Sequence, residues 1–202
     1  MPNRYSNRPV FLALLALSAL GLAACIGGTT PPSQFYMLEP IQAARQPAGA
    51  VEKRVIALAP VRIPQYVDRP QIVTATGKNA YQLSELNRWA ERLDDNIARV
   101  LAQNLSALVP ADLVLLNATG RAKQAALRVS VNILEFHIDP KAQARVSAQW
   151  SVARGEETLL ARPFQCGEAA TAGDYRAMAG ALNTCLDRLS REMADALRPL
   201  AE

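Results

Sequence analysis

From Ala142 to Val152 the chain alternates with a period of two. Ala142, Ala144, Val146, Ala148, Trp150 and Val152 fall on one side, and Gln143, Arg145, Ser147, Gln149 and Ser151 on the other. Successive side chains of a strand point to opposite faces, so the stretch reads as a strand with one dry and one wet face. Such a strand needs partners at its edges and a second layer over its dry face. Upstream, residues 126–138 read as a long strand in which Leu127, Val129, Val131 and Ile133 share a face. The apolar parity then moves to Leu134, Phe136 and Ile138, which predicts a bulge or strong twist near residue 133. Downstream, Arg154-Gly155-Glu156-Glu157 is a turn into a third strand over 158–166.

The covering layer is legible as two helices. Leu93, Ile97, Val100, Leu101, Leu105 and Leu108 form one helical stripe, with Asp94, Asp95, Arg99 and Gln103 off it and Pro110 ending it. A second helix is predicted from Tyr175 to Leu197, with Asp174 as N-cap and Met178, Leu182, Cys185, Leu186, Leu189, Met193 and Leu197 turned inward. Between these lie shorter signals. Residues 34–38 read as a strand stopped by Pro40, and 41–53 as a loop. Residues 54–63 are apolar on both faces, which places them centrally in a sheet, with Pro60 and Pro64 limiting their pairing. Residues 71–76 and 80–83 read as a hairpin around Gly77-Lys78-Asn79, and Asn87-Arg88-Trp89-Ala90 as the lead into the first helix. Residues 113–116 read as a short strand and 117–124 as a loop. The expected fold is α+β: one domain over 34–202, with a mixed, largely antiparallel sheet and two main helices packed on it.

The first 33 residues do not fit that domain. Arg4 and Arg8 precede an uncharged run from Pro9 to Ala24 that ends in small residues. That pattern is a secretory leader; the run is short for a hydrocarbon core of about 30 Å. Leu22-Ala23-Ala24-Cys25 resembles a bacterial lipobox. The resemblance implies cleavage between Ala24 and Cys25, a diacylglycerol thioether on Cys25, and an acyl chain such as palmitate on the new amino terminus. More than one chain, at about 0.8 kcal/mol per buried CH₂, gives stable anchoring. Ile26, where enterobacterial sorting uses Asp to retain a lipoprotein in the inner membrane, points to the periplasmic face of the outer membrane. Residues 1–24 are then a signal peptide, and 25–33 a lipidated cysteine and tether. Its Gly27–Ser33 stretch reaches at most ~23 Å.

Three cysteines are present. With Cys25 lipidated, Cys166 and Cys185 remain, at a strand end and on a helix's inward side. In an oxidising periplasm a disulfide between them would close a loop and contribute about 3 kcal/mol; two separate buried thiols are the alternative. The chain shows neither close cysteine spacing nor a catalytic or phosphate-cradling motif. His137, the single histidine, reads as structural, so no enzymatic activity, metal or cofactor is expected beyond the lipid on Cys25. The net charge of +4, with Arg4 and Arg8 in the leader and no basic clusters interleaved with aromatics, excludes a nucleic-acid footprint. Asp68 and Arg69 sit in a turn framed by Pro64 and Pro70, suited to a clamp or a partner contact.

After the lipobox come Phe35-Tyr36-Met37-Leu38, then Ile63-Pro64-Gln65-Tyr66-Val67-Asp68-Arg69-Pro70-Gln71-Ile72-Val73, then Arg88-Trp89-Ala90-Glu91-Arg92-Leu93 and a leucine-rich helix. In this order the segments resemble the ABC-type transport auxiliary lipoproteins over nearly all of the mature chain. The resemblance implies a non-enzymatic accessory of trans-envelope lipid traffic that supports membrane integrity. It would dock or receive beside a mammalian-cell-entry-type tunnel protein or an ABC permease and its ATPase. It also allows a homo-oligomer, a ring at a tunnel exit. Pro64, Tyr66, Asp68, Arg69, Arg88 and Trp89 match the family's motif positions and are the candidates for partner binding; Cys166 and Cys185 are not hallmarks. The competing reading is a structural or assembly lipoprotein for envelope polymers or outer-membrane proteins.

Overall fold

The computed structural model describes residues 31–42, 54–115 and 125–201. Along them run β1 (Gln34–Tyr36), β2 (Arg54–Leu58), β3 (Gln71–Gly77), β4 (Ala80–Trp89), α1 (Leu93–Leu108), β5 (Ala111–Leu115), β6 (Leu127–Ile138), β7 (Gln143–Arg154), β8 (Glu157–Ala169) and α2 (Tyr175–Ala201). Cys25, all of the expected loop over 41–53 except Ile41 and Gln42, and the expected loop over 117–124 lie outside the described residues. From Ser33 onward the chain forms one compact unit.

The predicted three-strand meander is the longest part of the sheet. β7 pairs antiparallel with β6 on one edge and β8 on the other. Its dry face carries Ala144, Val146, Ala148, Trp150 and Val152, all buried. The register of β6 slips between Ile133 and Glu135, where the parity change predicted a bulge. Leu134 is the residue squeezed out: it faces solvent, and Phe136 and Ile138 resume the core. Ala142 is not in the strand. It sits at φ 56° in the turn before β7. The Asp139 carboxylate organises that turn, accepting from the amides of Lys141 and Gln143 and from Arg145 Nε. Partial burial pushes the Asp139 carboxyl up, but these donors outweigh it and hold it below the usual range.

The opposite edge of β6 is shared. Its first residues pair parallel with β2, Asn132 bridges Arg62, and Ile138 meets Thr74 of β3. β2 lies between β5 and β6, parallel to both. Ile56, Ala57 and Leu58 are therefore all buried, as a strand apolar on both faces requires. Beyond β3 the order continues to β4 and then to β1 at the rim. Pairing is mixed, and the antiparallel ladders are the longest.

Both helices close one core with the sheet. α2 lies against β6, β7, β8 and α1, and α1 also lies against β5. The predicted apolar stripes are the buried ones, from Leu93 to Leu105 and from Met178 to Leu197. Asp174 caps α2 by accepting from the amides of Arg176 and Ala177. The buried indole of Trp150 donates to Glu192 of α2.

The sequence reads residues 80–83 as the hairpin strand and Asn87-Arg88-Trp89-Ala90 as the lead into the helix; the strand instead runs on, and Arg88 and Trp89 are the last residues of β4. The Trp89 amide donates to the Pro70 carbonyl and the Ala90 amide to the Tyr36 carbonyl, so tertiary pairing extends the strand. A disulfide joins Cys166 of β8 to Cys185 of α2, across a sequence separation of 19. Removing it with Cys166→Ala should lower stability by about 3 kcal/mol, because the unfolded chain regains the freedom of a closed loop. Urea midpoints of wild type with and without dithiothreitol check this; an unchanged midpoint refutes it.

Candidate functional site

The Pro-framed segment folds as a tight turn in which the amides of Val67 and Asp68 both donate to the Pro64 carbonyl, and Arg69 to Val67. It lays Tyr66 over the end of β6. There Tyr66 meets His137 of β6 and Tyr81 of β4, with ring centroids 5.1–5.9 Å apart. The Phe136 amide donates to the Tyr66 hydroxyl at 3.3 Å, and that hydroxyl lies 3.0 Å from His137 Nδ1. Which of the two donates in that contact follows from the histidine tautomer, since the hydroxyl can both donate and accept. Burial pushes Tyr66 up to about 12. Burial also lowers His137, and the carboxylates of Glu135 and Asp139 only partly oppose that.

The sign of the pH effect follows. A histidine held neutral in the fold takes up its proton more readily when unfolded. Stability is therefore full above the unfolded value of about 6.5 and falls as pH drops below it. The urea midpoint should drop between pH 7.5 and 5.5, and that drop should shrink in His137→Gln. An equal drop in the variant removes His137 as its cause.

The other motif residues divide by exposure. Asp68 is exposed and lies 3.9 Å from Arg92, not against Arg69. Arg69 donates to the Gln65 carbonyl, while its Nε is buried with no hydrogen-bond partner. Arg88 reaches back to the carbonyl and carboxylate of Glu85. Trp89 is only 6% exposed and packs on Phe136, so it supports the turn from inside and offers a partner no surface. The face open to a partner is therefore Asp68, Tyr81 and the rim of the turn.

A separate groove of about 740 Å³ lies on the sheet side away from the helices. Ser130, Asn132, Gln149 and Ser151 form its floor, the wet positions that the alternation predicted. Pro60 and Arg62 make one wall and Pro163 the other. The wall exists because Pro60 has no amide to donate, so the strand begun by β2 breaks and rejoins β6 only at Arg62. The floor offers hydroxyls and amides, and two arginines, Arg62 and Arg162, also line the groove. It suits hydrogen bonding to an extended chain or a polar partner surface. Among the described residues, no group of His, Cys, Asp or Glu is placed to hold a metal, and no helix is long and apolar enough to cross a membrane.

Three asparagines missed in the sequence form a second feature. The amides of Leu38, Glu39 and Ile41 donate to Asn96, Asn183 and Asn104 respectively, at 2.7–2.8 Å; Pro40 has no amide to give. Asn96 returns a bond to the Leu38 carbonyl, and Asn104 donates on to Asp187 and Ser190 of α2. Both helices thus grip the segment that follows the expected tether. Asn96 and Asn104 lie eight apart on the buried side of α1, and polar residues inside an apolar stripe were the available signal.

The chain resembles known proteins over most of its length. The intermembrane transport lipoprotein PqiC of Escherichia coli (strain K12) is 27% identical over 165 residues, 82% of this chain and 86% of that protein. Its Shigella flexneri counterpart matches equally. A crystal structure of a protein from Xanthomonas campestris superimposes with a TM-score of 0.64 at 14% identity, covering 81% of this chain and 94% of that one. Another, of an uncharacterized protein, gives 0.69 at 20% identity, covering 83% and 99%; both show a shared fold. The model of the ABC-type transport auxiliary lipoprotein component matches residues 36–194, from the first strand through most of α2, and the chain belongs to that family.

Proposed function

We propose that this chain is an accessory lipoprotein of an intermembrane lipid transport system, held by lipid on Cys25 at the periplasmic face of the outer membrane. There it docks a mammalian-cell-entry-type tunnel protein or an ABC permease complex. The observation that carries this reading is the family match across 36–194, joined to a relative named for intermembrane transport. The geometry supports docking through the turn at 64–70 or the groove on the sheet, since rigid pairing holds both in place and polar groups line the groove. The lipobox and short tether support a body kept near one membrane.

Photocrosslinking from Asp68 and Gln149, both exposed, tests the proposal in native envelopes. The expected adducts contain a tunnel protein or an ABC transporter subunit. Adducts only with outer-membrane-protein assembly factors or envelope polymers would replace it with the structural reading.

A further inference from the structure

Phe35 is 63% exposed and Met37 47%, among the few large apolar side chains that face solvent. They are two residues apart, so they share a side, while Tyr36 and Leu38 between and after them turn inward. Their placement is specific. They lie immediately before the segment that Asn96, Asn183 and Asn104 grip, and ten and twelve residues after Cys25. At full extension ten residues span about 35 Å, so any bilayer holding Cys25 lies within reach of this pair. Beside them is an open groove of about 740 Å³ running to the start of α2, where Arg176 stands over the small residues Ala179 and Gly180. A side chain at Gly180 would meet nothing within 4 Å, so the groove has room.

We propose that Phe35 and Met37 dip into the interface of the bilayer that holds the chain's own anchor, with Arg176 facing lipid phosphates. Glu39 also lines the groove, so apolar insertion outweighs charge in this contact. Two apolar side chains beside a cation match the layering of a membrane interface, where acyl carbon lies under anionic oxygen. The contact orients the domain: the grip on residues 38–41 ties the pair rigidly to both helices. The inference rests on lipidation of Cys25 as proposed above.

The test uses the processed, lipidated chain carrying Phe35→Trp, in vesicles of phosphatidylethanolamine and phosphatidylglycerol. Trp89 and Trp150 are buried and constant, so a Glu156→Trp chain, altered in an exposed turn, serves as reference. Emission from position 35 should be blue-shifted relative to the reference and quenched about twofold by acyl-brominated lipid. Flotation with vesicles reports the anchor separately. Flotation with an unshifted, unquenched signal overturns the patch and leaves the anchor standing. A blue shift without lipid quenching also overturns it, because protein then covers the pair. Failure to float overturns the anchor and the patch together.

Discussion

Asn104→Ala should lower the unfolding free energy by about 2–4 kcal/mol, because it leaves buried polar groups unpaired. Asn104 is fully buried and makes three hydrogen bonds, accepting from Ile41 and donating to Asp187 and Ser190. Alanine strands the Ile41 amide inside the fold. Gln103→Ala, on the exposed side of the same helix, should change little. The loss should be local before it is global: amides of residues 38–41 should exchange faster with solvent while those of β6 and β7 keep their protection. Urea midpoints and hydrogen exchange check both parts. Equal loss of protection everywhere would mean that Asn104 is general core packing and not a clamp on this segment.

Asn104→Asp gives the same site a pH signature. Burial already raises the Asp187 carboxyl, and the Asn104 amide is one of the contacts restraining it. A second carboxylate within 3.2 Å of that oxygen removes the donor and adds a like charge. The pair then holds a proton in the folded state more tightly than when unfolded. That variant should be more stable at pH 5 than at pH 8, since stability tied to a raised carboxyl is lost as pH rises through its folded value.

Cys25→Ser should abolish lipidation of the chain altogether. The thioether and the cleavage that exposes the new amino terminus both depend on that sulfur, so one substitution removes every acyl chain. At about 0.8 kcal/mol per buried CH₂, those chains outweigh the two exposed side chains of Phe35 and Met37 as an anchor. Wild-type chain should gain a lipid mass and lose residues 1–24, while the variant should keep residues 1–24 and gain no lipid mass. A variant that still gains a lipid mass would assign the modification elsewhere.

These two sites differ in how far the sequence exposes them. Cys25 is marked by neighbours in the chain: small residues before it, an apolar run behind, polar tether ahead. Asn104 is marked only by a contradiction, a polar residue in an apolar stripe, and its partners are 63 to 86 residues away. Trp89 shows the opposite error. RWAERL is built of good helix formers, yet its first two residues end a strand, because Pro70 and Tyr36 supply carbonyls that local preference does not register.

What the sequence determined by itself is what repeats along it. The period-two run at 142–152, the parity change near 133, the helical stripes and the cap at Asp174 each follow from side chains a few residues apart, and each appears in the fold, except that Ala142 falls in the turn before β7. The proposed lipid anchor on Cys25 rests on the same kind of local signal. The tertiary structure alone decided the strand order, in which β6 shares one edge among β2, Arg62 and β3. It also decided which motif residues face outward and which segment the asparagines hold. The physical reason is that strand edges and buried amides are satisfied by partners distant in the chain. A hydrophobic period fixes which face of an element is dry but not which neighbour will cover it.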